Sequence, residues 1–107
     1  MRVKQKALHL DELEAEVLSP HVSRKLFEGD EATLIVYEFG AEAASLPHEH
    51  SWEHLGYVLE GQITIGLPEQ ETTVGAGHVY HIAPNVRHTG RAGPRGAVLM
   101  ESRARPR

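Results

Sequence analysis

The stretch PHEHSWEHLGYVLEG, Pro47 to Gly61, decides the fold and can be read in two incompatible ways. Taken from His50 to His54 it is an HxxEH string, which needs a helix to bring both rings to one metal ion. Taken as His48-Glu49-His50 followed by His54, it is a β-type metal site, because residues two apart on a strand leave the same face.

The flanks favour the β-type site. Pro47 precedes the histidines, and after His54 the run Gly56-Tyr57-Val58-Leu59-Glu60-Gly61 has β character and no helix-period apolar stripe. An inverted zinc protease, which uses HxxEH, also needs a long helical scaffold, whereas the residues after His54 read as strands. On a strand, His48 and His50 have Cα atoms roughly 6.6 Å apart, so both rings reach a metal at bonds of about 2.1 Å. A straight strand would carry His54 roughly 13 Å beyond His50. The chain is therefore expected to bend at Ser51-Trp52-Glu53, with His54 opening the next strand. A further ligand must come from a distant strand, and His88, just past Ala83-Pro84-Asn85, is the candidate. Glu53 rivals His54 for the remaining position; parity favours His54.

Outward from this stretch the punctuation is that of a β protein. TLIVYEF (33–39) ends at Gly40. HLGYVLE (54–60) and QITIGL (62–67) flank Glu60-Gly61, which reads as a hairpin turn with glycine supplying positive φ. ETTV (71–74), HVYHI (78–82), VRHT (86–89) and AVLMES (97–102) follow, separated by Gly, Pro and Asn. LDELEAEVL (10–18) reads as a short acidic helix stopped at Ser19-Pro20. Short strands with tight turns and no central helix predict an all-β sandwich or barrel.

The composition agrees. The chain has 107 residues, enough for one domain, with residues 1–20 as an N-terminal extension and 103–107 as a basic tail. Apolar residues make up 40% and charged residues 24%, a globular balance. There is no cysteine, which excludes disulfides and thiolate ligands and leaves His, Asp and Glu for any metal. Eight histidines are many for this length, and histidine is the commonest metal ligand. The net charge is −4, and the Arg103, Arg105 and Arg107 tail lacks the aromatic-interleaved stripe of a nucleic-acid surface. The longest apolar runs, LIVY (34–37) and AVLM (97–100), are far short of a membrane span, and the start lacks an apolar signal core. A cytoplasmic protein that binds neither nucleic acid nor membrane is expected. The same two runs offer strand edges that a homodimer could cover.

These residues resemble the cupin family. The first cupin motif is a glycine, a spacer, HxH, three or four residues, a carboxylate, six residues and a glycine. Here Gly40 leads to His48-Glu49-His50, then His54, then Gly61. The second motif is matched in spacing by Gly77, Pro84 and His88, with Ala83 and Asn85 in place of its proline and glycine and Ala92 in place of its asparagine. The resemblance implies a single cupin jelly-roll barrel, also called a double-stranded β-helix. Within the family the chain is similar to small single-domain members with an HxHxWEH motif, which have four-histidine sites. VLSPHVSRKLFEGDEATLIVYEF (17–39) also resembles the opening of pectin-degradation-type cupins, which promote ring opening of unsaturated uronates. Those carry glutamine where this chain has His54.

The expected site is thus one divalent transition metal held by His48, His50, His54 and His88. Manganese or iron is preferred, and zinc or nickel also suits the donors. Four neutral imidazoles leave the full charge on the metal, which strengthens its Lewis acidity and favours anionic ligands. The resemblance implies a metal-dependent enzyme for a small oxygen-rich anion, with dioxygenase-type oxidation or isomerase/lyase chemistry. The alternative is a non-catalytic binding or sensing cupin. Trp52, Glu53 and Tyr57 are candidates for the pocket or its surroundings. Tyr37, Tyr57, Tyr80 and Phe39 read as core or interface rather than catalytic residues. His78 and His81 read as structural, His9 and His21 as surface.

Overall fold

The computed structural model describes residues 7–105. Seven strands follow a short 3₁₀ turn at Leu10–Glu12: β1 Glu16–Ser19, β2 Val22–Glu28, β3 Ala32–Phe39, β4 His54–Leu67, β5 Gln70–Gly75, β6 Val79–Ile82 and β7 Thr89–Ala104. Among the described residues the strand pairings are antiparallel, in the order β1-β2-β3-β7-β4-β5, with β6 on β4.

Two long strands organise the molecule. The first half of β4 lies between β6 and β7, and its second half lies between β5 and β7. The second half of β7 lies between β4 and β3. Its first half pairs with β4 on one side and, on the other, with the segment before β4, through Ala44↔Arg91 and His48↔His88. Each long strand therefore serves both layers of the roll. The crossing point is a pair of glycines with left-handed backbones, Gly61 (φ 71) and Gly96 (φ 77). A Cβ on Gly61 would collide with the Gly96 carbonyl, so the two strands can kink together only with glycine here. Between the layers sits a core of Val22, Phe39, Val58, Ile63, Ile65, Val74, Ile82, Ala92, Ala97 and Leu99.

The structure differs from several local expectations. Glu60-Gly61 is not a hairpin turn: β4 runs through it, with register irregularities between Val58 and Glu60 and between Gly61 and Ile63. The acidic helix over 10–18 is only the three-residue turn, because Glu16–Ser19 pairs with β2 instead. Residues 16–19 of the expected N-terminal extension are thus part of the sheet; 1–6 lie outside the described residues. The basic tail is also largely sheet: Arg103 and Ala104 pair with Thr33 and Ala32, and Arg105 donates to the Gly29 carbonyl. Pro106 and Arg107 lie outside the described residues. Finally, the LIVY and AVLM strands are not edges, since β3 and β7 are each paired on both sides. Among the described residues no helix is long and apolar enough to cross a membrane.

Candidate metal centre

His48, His50, His54 and His88 converge from three places in the chain. His48 and His88 form a bridge, each backbone N–H donating to the other's carbonyl. Ser51 and Trp52 form the expected bend, and His54 opens β4. The loop after β6 is locked to the bend, as Asn85 N–H donates to the His50 carbonyl at 2.6 Å. Asn85 itself has φ 61, a left-handed conformation that asparagine tolerates better than most side chains. It can therefore serve where the cupin motif has glycine.

The ligand-capable nitrogens of His48, His50 and His88 all lie within 4.8 Å of one another. The His54 ring stands beside them, its centroid 4.9 Å from His50 and 5.3 Å from His88. Three of the four rings are held through Nδ1. His48 Nδ1 donates to the Leu46 carbonyl (2.7 Å), His88 Nδ1 to the Val86 carbonyl (2.9 Å) and His54 Nδ1 to Glu101 Oε1 (2.7 Å). An oxygen acceptor at Nδ1 fixes the proton there and frees Nε2 as a lone-pair donor, which is how metal-ligating histidines are set. His54 Nε2 is buried without a partner among the described residues. A buried nitrogen in that position needs an electrophile, so these residues fit a metal ion.

Burial also favours the neutral form of two of the rings, His50 and His88. His50 is pushed down to about 4, first by desolvation and then by the neighbouring His54, His48 and His88. Desolvation likewise lowers His88. Trp52 stacks on His50, with centroids 4.7 Å apart and planes 3° from parallel. The Arg103 guanidinium lies 4.5 Å from the Trp52 ring on a cation–π contact.

Glu101 went unnoticed in the sequence, although its register could have found it. Ala97, Leu99 and Glu101 share the buried parity of β7, so the acid points inward. Its Oε1 accepts from His54 and its Oε2 from the Tyr80 hydroxyl, and it is only 7% exposed. Gly56, paired with both Tyr80 and Glu101, leaves the space that the Tyr80 ring crosses. Burial, then the Glu101 charge, raises the Tyr80 phenol above its usual range, so it stays protonated. Tyr80 is therefore a pocket residue rather than plain core.

The other candidates sit elsewhere. Glu53 faces outward and accepts from His81 Nε2 at 3.1 Å, with both side chains more than half exposed. Tyr57 also points outward, because 54, 56 and 58 are the buried positions of β4. It lines a shallow surface groove with Leu34, Leu55 and Val79 rather than the histidine pocket. His9 and His78 are exposed and cap local turns.

The four histidines line a cavity of about 300 Å³. Its walls are mainly apolar, with Val22, Phe39, Ile63, Ile65 and Leu99, and its polar groups include Arg24, Tyr37, Tyr80 and Glu101.

A small antiparallel roll with a histidine-lined pocket defines a familiar class of β-barrel. The chain belongs to the cupin family: the model described as Cupin domain matches residues 34–99. Among solved structures it is similar to an RmlC-like cupin from Shewanella frigidimarina, at 20% identity and a TM-score of 0.85, covering 100% of this chain and 96% of that one. It is similar to KdgF from Halomonas sp., at 17% identity and a TM-score of 0.86, covering 97% and 96%. It is also similar to the polyketide cyclase RemF from Streptomyces resistomycificus, at 26% identity and a TM-score of 0.83, covering 94% and 80%. No curated protein matches the chain.

Proposed function

We propose that this cupin holds one divalent transition metal through His48, His50, His54 and His88 and is a metal-dependent enzyme for a small oxygen-rich anion. Manganese or iron is the metal we favour for such chemistry, and zinc or nickel also suits imidazole donors. The observation that carries the reading is the Nδ1 tethering of three rings, which leaves the buried His54 Nε2 without a partner. The metal would supply Lewis acidity and, if redox-active, a path to oxidation; isomerase or lyase chemistry needs only the former. Glu101 would orient His54 and hold its proton on Nδ1, while Tyr80 keeps the carboxylate in place. The apolar walls would exclude water around the reacting group. Likeness to a polyketide cyclase supports a substrate with several oxygens on a carbon frame.

The test is the metal content and coordination number of protein purified without chelator or nickel resin. One metal per chain with an open coordination position is expected, followed by turnover after anaerobic loading with Fe(II) or Mn(II). Absence of bound metal would overturn the reading. A zinc ion closed by four imidazoles, with no turnover on a panel of hydroxy acids, uronates and polyketones, would make the protein a binding module instead.

We also propose a homodimer, through the outer sheet face rather than through strand edges. Leu34, Leu55, Tyr57, Leu59 and Val79 are all exposed on that part of the molecule. Light scattering that returns a monomer's mass would contradict it.

A further inference from the structure

We propose that Arg24 and Tyr37 form an anion subsite in the pocket, selecting substrates that carry a carboxylate on an apolar body. Only what the substrate's other end meets rests on the histidines being the metal centre.

Arg24 on β2 and Tyr37 on β3 are register partners and line the same cavity as the histidines. The Arg24 side chain is only 25% exposed, an uncommon degree of burial for an arginine. Its Nε donates to Glu16 Oε1 at 2.7 Å, and Glu16 is its register partner on β1. The Tyr37 side chain is close enough to interact favourably with the charged guanidinium. The Glu16 bond holds the planar fork at its Nε edge. Among the described residues no carboxylate other than Glu16 pairs with Arg24, and terminal N–H groups remain. A fork of this kind binds carboxylates bidentately. Burial raises the Tyr37 phenol, which keeps its proton available for an anion. The cavity's own carboxylate does not compete, because both Glu101 oxygens are engaged by His54 and Tyr80.

The cavity lining defines the ligand. Arg24 on β2 and His54 on β4 reach one cavity from strands three places apart in the sheet order. Val22, Phe39, Ile63, Ile65 and Leu99 lie along the same cavity. A ligand with an apolar middle, an acid at the Arg24 end and oxygens at the histidine end fits this distribution.

The experiment is calorimetric titration of the full chain with 3-phenylpropionate and its neutral partner 3-phenylpropionamide, each on zinc-loaded and on chelator-stripped protein. In stripped protein the carboxylate should bind at least about tenfold more tightly than the amide, as a charge-assisted fork predicts. Arg24→Gln should abolish that preference while leaving zinc stoichiometry unchanged. Arg24→Lys should retain part of it, and Tyr37→Phe should reduce it; these two decide the matter if Arg24→Gln does not fold. Equal binding of the two probes to stripped protein would overturn the proposal, as would a preference that survives Arg24→Gln. Failure of the wild type to take up zinc would sink the metal reading instead, with the stripped-protein comparison still standing.

Discussion

At the scale of single residues, the site is a set of imidazole nitrogens aimed through their Nδ1 contacts. Glu101 does the aiming for His54. Glu101→Gln removes the charge opposite the ring and replaces one of the two acceptor oxygens with a donor. Metal affinity should then fall roughly 10- to 100-fold, the usual effect of losing such a partner. Competition titration with a chromogenic chelator would measure it, and unchanged affinity would remove Glu101 from the site. His50 makes a different prediction. Its folded pKa of about 4 lies below the unfolded value of about 6.5. Between those values the unfolded chain binds a proton that the folded chain does not. Stability of the metal-free protein should therefore rise with pH through this window and level off above it. Urea midpoints from pH 4 to 8 would show the slope, and His50→Asn should flatten it. A wild-type slope no steeper than the variant's would mean that His50 is not held neutral.

At the scale of elements, the kink through Gly61 and Gly96 is what lets β4 and β7 serve both layers. Gly61→Ala places a side chain in a left-handed backbone and against a carbonyl that cannot move away. It should destabilise the fold by about 2 kcal/mol or more. A thermal midpoint near that of the wild type would show that the strands can kink without glycine. The same feature explains where the sequence misled. A glycine with positive φ suits a hairpin turn and a bulge equally, and only the facing Gly96, far along the chain, distinguishes them. The convergence of the four candidate histidines was legible because its signals are local: His48 and His50 are two apart, His54 opens the strand after the bend, and His88 follows a turn signal. Glu53 shows the same rule in reverse, lying one residue out of register and on the outer surface. Glu101 was equally readable by parity, yet an acid in an apolar strand needs a partner to explain it, and His54 lies 47 residues away in the chain. Strands β1 and the end of β7 were missed because their charged residues read as solvated, while their pairing comes from tertiary neighbours.

At the scale of the whole molecule, a ligand that binds only the folded form stabilises it by mass action. With metal at about a thousandfold excess over its dissociation constant, the gain is about 4 kcal/mol. Removing the metal should therefore lower the melting temperature by many degrees, and the melting temperature of the loaded protein should climb with free metal concentration. Superimposable melting curves with and without chelator would show that the histidines hold nothing.

The long final strand has a consequence for the order of events during folding. β7 completes the pairing of both β3 and β4, and its β3 partners precede it by more than half of the chain. Contacts so distant along the sequence form slowly. A chain emerging from the ribosome displays all four histidines before Glu101 is made, and before the strand that draws His54 towards its partner can dock. If the four histidines hold the proposed metal, its capture becomes a late step, a chemical signature that the barrel has closed.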